Sequence, residues 1–194
     1  TVEAPFCPAE LTFGARGRFF GRCVDVDSSA SVEVLVASAK HQGASVVEVL
    51  QNCVIFNDGS QSLVATKADR AKNAIYLKHG QPMIFGESNE LGLMQEGFGL
   101  KVVKLGENGI TEKDILVHDA HCQDNTLHLK LALMEGPDFP IALGVIRDGS
   151  TQLRCMRSRT NRRSKIKEKG SHTGRAFDER RNLGSKIRKS EINR

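Results

Sequence analysis

The chain lacks several features that would assign it to a class at once. No uninterrupted apolar run approaches the roughly 20 residues a membrane helix needs, and no charged, apolar, small-residue opening marks a secretory signal. No internal repeat is visible, which excludes solenoids and propellers. The five cysteines, Cys7, Cys23, Cys53, Cys122 and Cys155, are odd in number, scattered, and contain no Cys-x-x-Cys pair. That argues against a disulfide framework and points to a reducing, cytoplasmic setting. The sequence opens on Thr1 rather than methionine, so a fragment is expected.

What is present divides in two. Residues 149–194 hold 15 Lys and Arg against 4 Asp and Glu, whereas residues 1–148 hold 13 against 19. An acidic body of 148 residues, long enough for one domain with its own core, carries a very basic tail.

The body reads as α/β. Pro5 and Pro8 suggest a loop entering a short helix from Ala9. Phe19–Val26 is apolar and short, a strand. Asp27 and Ser28 can cap a following helix by accepting hydrogen bonds from its unpaired N–H groups. Val32, Leu35, Val36 and Ala39 recur at helical spacing, and Gly43 supplies the stop. Ser45–Leu50 (S-V-V-E-V-L) is β-branched and reads as a buried strand. Strand, helix and strand within about thirty residues make the parallel α/β unit. Residues 60–112 are weakly patterned, with a hairpin expected around Leu91–Leu105. Ile115–His118 reads as another strand. Asn125 is placed to cap a helix carrying Leu127, Leu131 and Met134, and Phe139–Ile146 closes the body as a buried strand.

Between these elements, Q-N-C-V-I-F-N-D-G (51–59) follows the C-terminal end of a strand, the edge where open α/β sheets bind ligands. By itself Cys53 reads as a small buried hydrophobe, and Asn57 and Asp58 as turn formers. His118, His121, Cys122 and His128 superficially suggest zinc, but they fall on a strand, a loop and a helix without ligand spacing. Hydrogen-bonded structural histidines are the better reading. His41 sits at a helix C-terminus, where partial positive charge suits the dipole. His79, in H-G-Q-P, reads as turn structure.

The strings G-R-F-F-G-R-C-V-D-V-D (17–27), S-V-V-E-V-L-Q-N-C-V-I-F-N-D-G (45–59), A-I-Y-L-K-H-G-Q-P-M-I-F-G (74–86), D-I-L-V-H-D-A-H (114–121) and F-P-I-A-L-G-V-I-R-D (139–148) together resemble the thiamine-diphosphate-binding beta subunit of 2-oxoacid:ferredoxin oxidoreductases. The form of the Cys53 segment is most like the 2-oxoglutarate type. The resemblance covers essentially all of 1–148, in order. It implies CoA-dependent oxidative decarboxylation of a 2-oxoacid, using thiamine diphosphate with Mg²⁺. Electrons would pass through a 4Fe–4S cluster to ferredoxin, and an alpha subunit would complete the active site. By the same resemblance Cys53 is one of the four cluster thiolates, a role suited to a cysteine on such a loop. The other three ligands and the Gly-Asp-Gly-type motif that holds the diphosphate find no counterpart in the sequence. The chain is therefore expected to be the C-terminal portion of that domain, with a mainly parallel sheet, unable alone to bind thiamine diphosphate or to build the cluster. No catalytic residue carries over.

The tail, 149–194, admits two readings. R-S-R-T-N-R-R-S-K-I-K-E-K has the charge to neutralise phosphates, which would make the protein a non-catalytic, nucleic-acid-binding adaptor. Yet the tail holds Phe177 as its one aromatic residue and no binding-module signature. The alternative is a shifted reading frame. The resembled family continues with a V-x-x-P-S-Y-D-A-like segment and ends near S-G-E-T-W-E-V. Glu179–Lys186 can be encoded GAG CGG AGA AAC TTG GGA AGT AAG, which read one nucleotide later gives S-G-E-T-W-E-V. Gly149–Cys155 yields V-R-P-S-Y-D by the same shift. A single frameshift near Asp148 is the expectation, with a disordered tail whose charge carries no functional message.

Overall fold

The structure, a computed structural model, describes residues 6–149. Pro5, the basic tail from residue 150 and Cys155 lie outside the described residues.

The strand–helix–strand unit is present. Strand β1 (Phe19–Val24) is buried along its whole length. Helix α2 (Ser28–Lys40) follows, and the Asp27 carboxylate caps it by accepting the Ala30 N–H at 3.3 Å. Strand β2 (Ser45–Leu50) then runs parallel to β1, Phe19 opposite Ser45 and Val24 opposite Leu50. The short helix α1 (Pro8–Gly14) precedes this unit. After it come α3 (Lys67–Asn73) and β3 (Ala74–Leu77), both within the stretch whose sequence is weakly patterned. Helix α3 is signalled by a capping box, in which Thr66 and Asp69 satisfy each other's backbone N–H groups.

Strands β4 (Ile84–Phe85), β5 (Leu91–Glu96) and β6 (Gly99–Lys104) form a separate antiparallel sheet. The β5–β6 hairpin falls at the expected place, and Gly97 takes the positive φ of 59° at the first of its two turn residues. Helix α4 (Thr126–Ala132) and strand β7 (Ile141–Asp148) close the body. The main sheet has the order β2-β1-β7-β3, with β1/β2 and β3/β7 parallel and β1/β7 antiparallel. The architecture is α/β with a mixed, mostly parallel sheet.

Four expectations need correction. Strand β2 is not buried: Val46 and Val49 are 38% and 49% exposed, because β2 lies at the sheet edge with a single neighbour. Ile115–His118 is not a strand of either sheet. It follows a 3-10 turn (Glu112–Asp114) as an extended segment that divides its backbone bonds between Leu93, Met83 and Gln81. Pro82, opposite Val117, has no N–H with which to extend that bridge into a ladder. The cap of α4 is supplied by Asp124, whose carboxylate accepts the Thr126 N–H at 3.0 Å, and not by the Asn125 side chain. Met134 lies beyond that helix. Last, the apolar stripe of α2 faces outward, with Val32, Leu35 and Val36 each at least 45% exposed. The helix lies on the sheet through Val34, flanked by the small residues Ala30 and Ala37. A side chain at Gly21 would come within 2.6 Å of Val34 Cγ1, so that close approach needs glycine.

The core gathers Phe13, Phe20, Ile75, Leu77, Met83, Leu93, Leu131 and Ile146 between the two sheets and helices α1 and α4. Phe13 and Phe20 meet at a ring separation of 5.6 Å, tilted 59°. Arg22 and Glu48, partners in the β1/β2 register, form a 2.6 Å ion pair, and Arg22 also donates to the Ala132 carbonyl at 2.9 Å. A pair this sheltered stabilises only while intact, since losing one partner leaves a buried charge.

The inverted exposure of α2 has a direct test. Val34→Ala is expected to lower the unfolding free energy by roughly 1–3 kcal/mol through the cavity it leaves. Leu35→Ala is expected to change it by less than about 0.5 kcal/mol. Urea unfolding followed by circular dichroism ranks the two, and the opposite order would mean the helix is docked by its other face.

Candidate functional site

The loop that leaves β2 is shaped by its own polar groups. Asn52 sets it: its Nδ2 donates to Asp58 Oδ1 at 2.9 Å and its Oδ1 accepts the Gly59 N–H at 2.9 Å. Within that clasp the Cys53 carbonyl accepts the Asn57 N–H at 2.9 Å, and Cys53 and Asn57 form an isolated β-bridge. Gly59, at φ 77°, turns the chain back. Asn57 and Asp58 are thus turn-forming residues, as their types suggest. The tip, Val54, Ile55 and Phe56, is 72%, 82% and 88% exposed, so the loop presents apolar side chains to solvent around a half-buried thiol.

That thiol is electronically prepared. The backbone N–H groups of Phe56 and then Ile55 hold the Cys53 pKa below its ordinary value by hydrogen-bonding its sulfur. N–H donors converging on a sulfur stabilise the thiolate, the form that binds metals and attacks electrophiles. The donor set suits one soft-metal ligand. It does not make a complete site: among the described residues no group of three or more His, Cys, Asp or Glu side chains is arranged to hold a metal ion. Of the other described cysteines, Cys23 is buried within β1, Cys7 sits half-buried before α1, and Cys122 is exposed.

The histidines singled out in the sequence have structural partners. His118, buried, bonds through Nε2 to the Val145 carbonyl at 3.0 Å. His128, also buried, bonds through Nε2 to the Asp119 carbonyl at 2.8 Å, which leaves Nδ1 to accept from Arg147 at 3.3 Å. His121 Nδ1 lies 2.6 Å from the Asp148 carbonyl, and its ring packs against His79 at 4.4 Å. His79 sits at a turn, 3.4 Å from the Asp119 carboxylate. His41 does more than follow a helix terminus: its Nδ1 meets Asp148 Oδ1 at 2.7 Å, tying the end of α2 to the end of β7. The structure also holds a cluster beneath the start of α2 that the sequence does not announce. The capping residue Asp27 accepts from the Tyr76 hydroxyl at 2.6 Å and lies 3.6 Å from Arg70. Burial, together with that carboxylate, pushes the Tyr76 pKa up to about 12. The Tyr76 hydrogen bond in turn holds Asp27 below the usual carboxylate range. No local pattern signals this cluster, because its three members come from three elements.

Comparison with known proteins narrows the class. An α/β domain with a cysteine loop at the carboxyl edge of a parallel strand pair is similar in sequence to an oxidoreductase component. Over 148 residues the chain is 38% identical to the 2-oxoglutarate oxidoreductase subunit KorB of Mycobacterium tuberculosis (strain ATCC 25618 / H37Rv). The match covers 76% of this chain and 39% of that subunit, so the chain spans about two-fifths of the relative's length. The likeness read from the residue strings is thereby shown. No protein-family model matches the chain, and no solved structure matches it.

Two outcomes follow from the titrating groups. Burial depresses the pKa of both His118 and His128 below 6.5. Both are then neutral in the folded chain over a range where the unfolded chain takes up protons. The unfolding free energy should be flat above about pH 6.5 and fall as the pH drops toward 5; pH-dependent urea midpoints read this, and replacing His128 with Gln should shallow the slope. For Cys53, alkylation by iodoacetamide should have a pH midpoint below that of an unstructured cysteine peptide. Asn52→Ala, which opens the clasp, should move that midpoint back up.

Proposed function

We propose that this chain is part of the beta subunit of a thiamine-diphosphate-dependent 2-oxoacid:ferredoxin oxidoreductase acting on 2-oxoglutarate, with Cys53 as one thiolate ligand of its 4Fe–4S cluster. The observation that carries the reading is the Cys53 loop: a thiol with a lowered pKa, held at the carboxyl edge of a parallel strand pair in a chain related to a 2-oxoglutarate oxidoreductase subunit.

When bound, thiamine diphosphate with Mg²⁺ supplies the electron sink for decarboxylation, the cluster supplies one-electron transfer to ferredoxin, and CoA takes the acyl group. This chain's own residues have narrower tasks. Asn52, Asp58 and Gly59 fix the backbone of the loop that carries the Cys53 sulfur. The N–H groups of Ile55 and Phe56 offset negative charge on that sulfur, which favours the reduced-state charge a cluster must carry. Val54, Ile55 and Phe56 provide an apolar wall that would limit water beside it. The exposed valines of β2 and the outward stripe of α2 offer apolar surface to the alpha subunit or to further parts of the same subunit. We read residues 149–194 as the product of a shifted frame; the 148-residue length of the match, equal to that of the acidic body, supports a division at Asp148.

The test is Cys53→Ala in the complete oxidoreductase. Loss of most of the iron–sulfur visible absorbance and of ferredoxin reduction, with Cys23→Ala retaining both, is the expected result. A variant that kept its iron, its colour and its ferredoxin reduction would sink the assignment. Sequencing the coding DNA through Asp148 tests the tail. A shifted frame encoding S-G-E-T-W-E-V is expected, and one broken by stops would make the basic tail genuine.

A further inference from the structure

Three arginines converge away from the Cys53 loop. Arg16 and Arg18 flank Gly17 in the turn between α1 and β1, and Arg147 stands beside them as the next-to-last residue of β7, opposite Phe20 in the β1/β7 register. With Gly17, Gln123 and Asn125 they line a cavity of about 220 Å³, and among the described residues no carboxylate lines it. Arg16 holds this place at φ 62°, a left-handed position after the helix where glycine or asparagine is usual.

Arg147 is the unusual member. It is 96% buried, being 4% exposed. One terminal nitrogen donates to His128 Nδ1 at 3.3 Å and the other to the Gln123 carbonyl at 3.2 Å, both neutral acceptors. Its Nε has no hydrogen-bond partner among the described residues. Of the groups that favour its charge, Cys122 acts first and Asp124 second, and Asp124 is already engaged by the Thr126 N–H and hydroxyl at 3.0 and 2.6 Å. Burial first, and then the nearby positive charge of Arg18, bear against the Arg147 charge. A buried guanidinium without a paired anion is costly, and a like charge beside it adds to the cost.

We propose that this cavity is an anion site for a phosphate group, either free phosphate or the phosphate of a larger ligand. Guanidinium groups pair with phosphate and carboxylate oxygens alike. Although Arg18 already meets Gln123 Oε1 at 3.5 Å and both terminal nitrogens of Arg147 are engaged, three guanidinium charges on one cavity favour the higher charge and the additional acceptor oxygens of phosphate over a single carboxylate. A phosphate group presents them in a tetrahedral arrangement, and its charge near −2 matches two or more guanidinium groups. The Gln123 and Asn125 amides line the same cavity and add neutral donors. The site owes nothing to the Cys53 reading, since it is built from the turn before β1 and the end of β7.

Isothermal titration calorimetry on the full chain at constant ionic strength tests the proposal, with inorganic phosphate, glycerol phosphate and acetate as probes. Saturable one-to-one binding of a phosphate probe is expected, with acetate at the same concentration binding at least tenfold more weakly. Glycerol phosphate binding as tightly as inorganic phosphate identifies a phosphorylated ligand; inorganic phosphate binding alone identifies the free ion. Arg16→Ala and Arg18→Ala should each weaken binding roughly tenfold or more, as for one charge-assisted hydrogen bond. Arg16 is exposed, so its variant is expected to fold even where Arg18→Ala does not. Heats that fail to saturate, acetate binding equal to phosphate, or an affinity unchanged in Arg16→Ala would overturn the site.

Discussion

The pairing of β1 with β7 is the constraint on which the described body depends. β7 is contributed by the last described residues, yet it lies in the middle of the main sheet, between β1 from the start of the chain and β3 from its middle. Two glycines make the seam possible. Gly144 takes φ 102°, and a side chain there would come within 2.6 Å of the Leu77 carbonyl oxygen on the β3 side; Gly21, paired with Val145 next to the bulge, lets Val34 of α2 descend onto the sheet. At the bulge Ile146 is left without a β1 partner and turns wholly into the core. A bulge of this kind re-aims side chains, and here Arg147 and Asp148 emerge beyond it at one edge. Asp148 then receives His41 through its carboxylate and His121 through its carbonyl. Closing one strand therefore fixes the end of α2 and the 118–123 segment together.

The Cys53 loop is organised on the opposite principle. The hydrogen bonds that shape it run among residues 52–62, and none of them reaches the core. Its position is inherited from β2, but its conformation is local, set by one asparagine side chain and one positive-φ glycine. The thiol's depressed pKa arises from backbone N–H groups rather than from a neighbouring charge. Such an effect is less sensitive to salt and to surface mutation than an ion pair would be. The arginine cavity is the reverse case, since its charge comes from segments distant in sequence and only the finished sheet assembles it.

That contrast between local and assembled features explains which of them are legible in the sequence. The β1–α2–β2 unit is legible because its signals are local: an aspartate cap, a helical run ended near Gly43, and two short β-rich segments. The β5–β6 hairpin is legible for the same reason. The faces are not. Periodicity locates α2 but places the wrong stripe inward, because Val32, Leu35 and Val36 outweigh the small Ala30–Val34–Ala37 row that Gly21 admits. Nor can strand direction be read, since a buried strand such as β7 has the same composition whether it runs with or against its neighbour. Cys53 is singled out by resemblance alone; the residue types around it would leave it a core cysteine. Arg147 gives no signal, because nothing local to R-D reveals that the side chain is buried beside two other arginines.

Two of the uncovered features of the body adjoin one another, and the adjacency constrains any larger assembly. Among the described residues β2 has a free edge, with Val46 and Val49 open, and the Cys53 loop is its direct continuation. An unpaired, apolar-flanked edge strand invites pairing. A segment that completed the ladder on β2 would arrive beside Val54, Ile55 and Phe56, and would bring its own side chains within reach of the thiol. Covering the edge and enclosing the thiol would then be a single event rather than two. The Asn52 clasp favours this order, since a loop whose backbone is already held loses less conformational freedom when a partner closes around it.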